Sequence, residues 1–121
     1  MQIVRRTDVL DDHVIVELSG DFDLSAVSRV RSAFHEIVGD GWTKVIVDLS
    51  DVTFADSAAL GILVGLQRRC REAGGSCALV GATDAVGRLL ATSGLDTIIP
   101  MADSVEHAAT VTAASSAGTV R

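Results

Sequence analysis

Ser57 stands where a hydroxyl can meet negative charge. It follows Asp56 in the run Ala55-Asp56-Ser57-Ala58-Ala59-Leu60-Gly61, on the border between a polar stretch and an apolar one of helical character. The first turn of a helix carries backbone N–H groups without intrahelical partners, and the helix dipole favours negative charge beside them. A phosphate or another anion is at home there. Asp and Ser are equally the commonest N-caps, so the pair reads either as an anion-accepting site or as an ordinary helix start. Asp21 and Asp23, in Gly20-Asp21-Phe22-Asp23-Leu24, add two more carboxylates with the same ambiguity. They serve as turn and capping residues or as acidic neighbours of the serine.

Other chemistries lack parts. A serine hydrolase needs a base within reach of its nucleophile and usually a G-x-S-x-G turn. Ser57 has neither flanking glycine, and His13, His35 and His107 fall on other elements or near the C-terminus. An aspartyl phosphoacceptor of the receiver-domain kind would be Asp48, but the only lysine, Lys44, precedes that strand. The acidic pair Asp11-Asp12 also precedes a strand where a receiver needs it to follow one. No Walker or dinucleotide glycine loop supports nucleotide binding. No spacing of His, Cys or carboxylates implies a metal, and no cofactor is expected.

The chain has 121 residues, 48% hydrophobic and 21% charged, which suits one globular domain with its own core. A net charge of −6 with 3% aromatics argues against a nucleic-acid partner, which wants a basic face and stacking rings. The basic cluster Arg68-Arg69-Cys70-Arg71 falls at a predicted helix C-terminus, where cations complement the dipole. No apolar run approaches the ~20 residues needed to cross a bilayer, and the N-terminus lacks a signal-peptide core. The expectation is a soluble cytoplasmic protein whose two cysteines are buried small hydrophobes.

Periodicity supplies the elements that must position these residues. The pattern predicts strands over 2–5 and 13–18, too close for anything but a hairpin around Asp11-Asp12. A helix follows over 25–38, its apolar residues Val27, Val30, Phe34, Ile37 and Val38 falling on one face. The run Val45-Ile46-Val47 predicts a strand over 45–48, buried on both faces, and residues 48–54 read as a connection. A helix over 57–73 ends at Gly74-Gly75, with Leu60, Leu63, Val64 and Leu66 as its sheet-facing residues. A strand over 77–80, a helix over 85–91 capped by Thr83, and a strand over 97–99 follow. Asp103 and Glu106 have capping-box spacing for a last helix, and residues 114–121 read as a flexible tail. The order ββαβαβαβα predicts an α/β fold: a mixed, mostly parallel sheet of about five strands, helices mainly on one face. Ligands of such sheets gather at the carboxyl ends of strands, which would bring Asp21, Asp23, Asp56 and Ser57 together.

Three segments in this order resemble the STAS family, specifically bacterial anti-sigma-factor antagonists. Leu18-Ser19-Gly20-Asp21-Phe22-Asp23 is similar to its L-x-G-E/D-L/F-D signature. The run from Val45 to Gly61 looks like its strand, loop and D-S-S/T-G-L-G helix start. Val86-Gly87-Arg88-Leu89-Leu90-Ala91-Thr92-Ser93-Gly94-Leu95 is close to its V-x-R-L/I-L-x-x-S/T-G-L pattern. The resemblance implies a STAS domain over residues 1–113, without enzymatic activity of its own, and Ser57 as phosphoacceptor. Its implied partners are an anti-sigma factor of the serine-kinase type, released by phosphorylation, and a PP2C-type phosphatase. The implied binding surface is Asp21, Asp23, Leu24, Asp56, Ala58 and Ala59. Two positions depart: Ala58 stands where the family has Ser or Thr, and Ala59 where it has Gly. The alternative is a STAS module that is never phosphorylated, working in a signalling scaffold or with a transporter subunit.

Overall fold

The computed structural model describes residues 1–8, 10 and 12–119, with side chains as far as Thr112. Five strands form one sheet in chain order: β1 (Gln2–Arg6), β2 (Val14–Phe22), β3 (Lys44–Ala55), β4 (Ser76–Val80) and β5 (Met101–Ala102). β1 and β2 pair antiparallel as a hairpin, and β2 to β5 are parallel. Asp12 turns the hairpin with φ 57; Asp11 lies outside the described residues. The helices are α1 (Val27–Gly39), α2 (Ser57–Glu72), α3 (Asp84–Thr92) and α4 (Val105–Thr119). α4 thus continues into the segment expected as a tail, while residues 120 and 121 lie outside the described residues.

Strand alternation divides the interior in two. Val14, Val16, Leu18, Val45, Val47, Leu49, Cys77 and Leu79 face α1, α2 and α3 in the main core. Ile15, Ile46, Ala78 and Val80 face the other way, onto Ala108 of α4. The interior strands β3 and β4 therefore need apolar residues at consecutive positions, which explains the unbroken run Val45-Ile46-Val47. α1 buries Val27, Val30, Phe34 and Ile37, as its spacing predicts. α2 buries Ala59, Ile62, Leu63, Leu66, Gln67 and Cys70, while Leu60 and Val64 are only half-buried. Its inward face is rotated from the expected one and takes in the small residues Ala59 and Cys70. Burial pushes the Cys70 thiol up to about 12 and the Cys77 thiol upward too, so both behave as apolar filler.

Three expected elements are placed differently. β3 does not stop at Asp48 but runs to Ala55, burying Leu49 and Val52 and exposing Ser50, Asp51 and Thr53. Two register shifts against β2 each insert an extra β3 residue, and they hide the alternation from a sequence reading. The expected strand over 97–99 is a 3₁₀ turn, Leu95–Thr97, whose following amides, Ile98 and Ile99, both donate to the Leu95 carbonyl. β-branched residues favour strands only where a neighbour is in reach, and here local bonds take their amides first. The ladder starts instead at Pro100, whose carbonyl accepts from the Leu79 N–H at 3.0 Å. Ser104, not Asp103, caps α4, accepting the His107 N–H at 3.1 Å.

α2 ends in a Schellman motif: Gly75 N–H donates to the Cys70 carbonyl (2.7 Å) and Gly74 N–H to that of Arg71 (3.0 Å). Gly74 has φ 91, which glycine adopts without steric cost. A methyl on Gly75 would lie 1.9 Å from the Thr43 carbonyl oxygen, a backbone atom that cannot swing aside. Gly75→Ala should therefore lower stability by at least about 2 kcal/mol, the upper part of the overpacking range. Urea unfolding checks this, and an unchanged midpoint would show that the α2–β4 turn is looser than its geometry.

Candidate functional site

Asp56 ties the site together. Its extended backbone makes it the N-cap of α2, with Oδ1 accepting the N–H groups of Ala58 (3.0 Å) and Ala59 (3.2 Å). Oδ2 reaches across to accept the Leu24 N–H at 3.2 Å, and the Asp56 N–H donates to the Phe22 carbonyl at 3.3 Å. One carboxylate thus serves the helix start and clamps it to the turn that follows β2. Ser57 occupies the first helical position beside it, exposed, and its hydroxyl makes no hydrogen bond to any described residue. The capping duty falls on Asp56, which leaves the serine oxygen free.

The acidic neighbours come from the β2 end. Asp21 pairs with Phe54 across the β2–β3 ladder, and its Oδ1 accepts the Thr53 hydroxyl at 2.8 Å. Asp23 caps the 3₁₀ turn Leu24–Ala26, accepting the Ser25 N–H (3.0 Å) and the Ser25 hydroxyl (2.5 Å). These bonds, the Ser25 hydroxyl foremost, hold the Asp23 carboxyl below its ordinary value of 3.8, against an opposing desolvation. Leu24 sits at the centre of this edge with 74% of its surface exposed.

One expected surface residue belongs elsewhere. Ala59 is fully buried, its methyl in the main core. It presents nothing to a partner, and where a glycine would leave a gap it adds packing. Ala58 is half-buried and borders the surface. Phe54, absent from the expected set, is 51% exposed and lines a groove of about 270 Å³ with Ala85, Val86 and Leu89 of α3. Its place in a run with the character of a connection hides it; an aromatic in a polar run is the available signal. His13 is buried at the opposite end of β2, bonded to Asp12 (2.9 Å) and Thr112 (2.8 Å), and His35 meets Arg69 (2.8 Å). Neither is placed to activate Ser57.

The family model described as the STAS domain matches residues 4–108. The chain belongs to the STAS family. Among STAS relatives, the anti-sigma F factor antagonist of Paenibacillus polymyxa is 32% identical over 98 residues, covering 80% of this chain and 84% of that one. A crystal structure from Thermotoga maritima superposes with a TM-score of 0.81 at 28% identity, over 88% of this chain and 90% of that one. The Bacillus cell fate determinant SpoIIAA, solved in its phosphorylated form, shares the fold with a TM-score of 0.69 at 23% identity, covering 88% of this chain and 94% of that one. The chain is thus of the anti-sigma-factor antagonist family by homology and fold. Among the described residues no helix is long and apolar enough to cross a membrane.

Two outcomes follow from the STAS site's bonds. Asp56→Ala should cost about 1–2 kcal/mol in urea unfolding, and Asp56→Asn should recover only part of it, because its one carbonyl oxygen can serve the Ala58 and Ala59 amides while its NH2 then meets the Leu24 N–H. Equal losses would mean that the bond to Leu24 or the charge, not the helix cap, is the contribution. Ser25→Ala should raise the Asp23 pKa toward 3.8, seen by carboxyl-carbon NMR titration. With the folded value depressed, the stability contributed by this cap is present above 3.8 and lost as pH falls through the folded value. An Asp23 titration unaltered by the substitution would remove the Ser25 hydroxyl as the cause.

Proposed function

We propose that this chain is an anti-sigma-factor antagonist that acts by binding, not catalysis, and that Ser57 is its phosphorylation switch. The unmodified form binds an anti-sigma factor of the serine-kinase type in the bacterial cytoplasm and so frees a sigma factor. The kinase phosphorylates Ser57 with its own ATP and lets go; a PP2C-type phosphatase reverses the step. The observation that carries this reading is the exposed, unbonded Ser57 hydroxyl at a helix start whose cap is supplied by Asp56.

Physical chemistry supports the direction of the switch. A phosphate adds about −1.5 to −2 charges at neutral pH. The helix dipole accommodates part of that charge, but Asp56 already occupies the Ala58 and Ala59 amides that would otherwise solvate it. The dianion therefore stays outward, next to Asp56 and near Asp21 and Asp23. A partner that desolvates this edge meets added repulsion. Leu24 and Phe54 are the apolar contacts of the proposed surface, with Asp21, Asp23, Asp56 and Ala58 around them.

The assay is incubation with the cognate kinase and labelled ATP, then pull-down of each variant. Ser57→Ala should take up no label, keep its fold and keep binding the kinase. Ser57→Asp should weaken binding partially, since one carboxylate imitates a dianion poorly. Leu24→Ser or Phe54→Ser should weaken binding about tenfold or more, which needs only about 1.4 kcal/mol. Label on Ser57→Ala equal to wild type, or none on wild type, would transfer the assignment to a constitutive STAS binding module.

A further inference from the structure

A second surface lies at the other end of α2. Residues 57 and 71 are separated by about 21 Å along the helix at 1.5 Å per residue. There a groove of about 680 Å³ runs between Val64, Gln67, Arg68 and Arg71 on one wall and residues 96–100, the chain leading into β5, on the other. Positions 64, 67, 68 and 71 have the spacing by which a helix buries one face. Only Gln67 is buried, and its amide is committed: Oε1 accepts the Cys77 N–H at 2.7 Å, and Nε2 lies 3.3 Å from Ser76 Oγ and 3.5 Å from the Ile98 carbonyl oxygen. The Ile98 side chain above it stays 54% exposed.

The charge of this groove is unusual for the chain. Arg69 turns aside to His35, whereas Arg68 and Arg71 are exposed and form no ion pair among the described residues. Asp96 on the facing wall lies beyond ion-pair distance of either. The α2 dipole offsets only about half a charge. Two guanidiniums without an ion-pair partner among the described residues therefore share a groove with an exposed isoleucine, on a protein whose net charge is −6.

We propose that this groove binds an acidic segment of a partner protein that carries an aliphatic side chain, carboxylates on Arg68 and Arg71 and the aliphatic group on Ile98. A small inorganic anion fits poorly, because a helix C-terminus offers carbonyls, not N–H donors, and the groove is far wider than a phosphate. Nucleic acid is disfavoured because the groove has no aromatic side chain for a base to stack on, whereas Ile98 suits an aliphatic one. The surface is separate from the Ser57 edge, so both can be occupied at once.

The test uses the full chain and a short fluorescein-labelled peptide of Glu and Asp carrying two leucines, with amide-shift mapping alongside anisotropy. Saturable binding is expected below about 1 mM, the weak end of specific association, with shifts at Val64, Arg68, Arg71 and Ile98. Arg68→Glu with Arg71→Glu should weaken it tenfold or more, and Ile98→Ser or a peptide with serines for leucines severalfold. Arg68→Gln with Arg71→Gln repeats the test should charge reversal disturb folding. Ser57→Ala should bind the peptide as wild type does, which separates this result from the switch. No saturable binding, indifference to either arginine pair or to the leucines, or shifts confined to the Ser57 edge would overturn the proposal. So would a concentration-dependent dimer abolished by the arginine substitutions, which would assign the groove to a second copy of this chain.

Discussion

The parallel ladder between β2 and β3 is the constraint on which the rest depends. It starts in step, Val14 beside Val45, and gains one β3 residue at each of two irregularities, so that Phe22 finishes beside Ala55. Without those two residues Asp56 would not arrive level with Phe22, and its carboxylate could not bridge the Leu24 amide and the first turn of α2. The bulges thus convert a long interior strand into a positioning device. Leu49, within the first irregularity, and Val52, between the two, still reach the core.

That arrangement divides labour between adjacent residues. Asp56 is half-buried and spends its oxygens on three backbone donors, while Ser57 next to it spends none. A group whose bonds hold the fold is poorly suited to reversible modification, since each cycle would break and remake the cap. A free hydroxyl one residue along carries no such burden. The same separation protects the core: Ala59, two residues further, packs beneath the helix and is insulated from whatever happens at the surface.

α2 also separates two electrostatic environments. Its N-terminal end meets carboxylates from the β2 turn, and its C-terminal end carries arginines in the last turn. Both suit the macrodipole when taken alone. The acidic end, however, is bonded into the fold through Asp23 and Asp56, whereas Arg68 and Arg71 extend into solvent beside an exposed isoleucine. Helix electrostatics accounts for the sign of those charges but not for the apolar surface beside them.

Much of this was legible in residue order. The doubly buried run at Val45-Ile46-Val47, the apolar face of α1, the glycine stop of α2 and the Asp-Ser helix start all depend on local periodicity and capping. Those preferences act within a turn or a strand and leave their mark in adjacent residues. The true extent of β3, the 3₁₀ turn at Leu95–Thr97, the inward burial of Ala59, the exposure of Phe54 and the bond from Asp56 to Leu24 left no such mark. The 3₁₀ turn is decided by local bonds that compete with the ladder; the extent of β3 and the bond to Leu24 depend on which strand lies alongside and how far it has slipped, contacts between residues some 30 positions apart. Sequence alone determined most of the elements and which hydroxyl stands beside an aspartate at a helix start. Only the tertiary structure decided which neighbours surround that hydroxyl, because register and burial are properties of the packed sheet and not of any single segment.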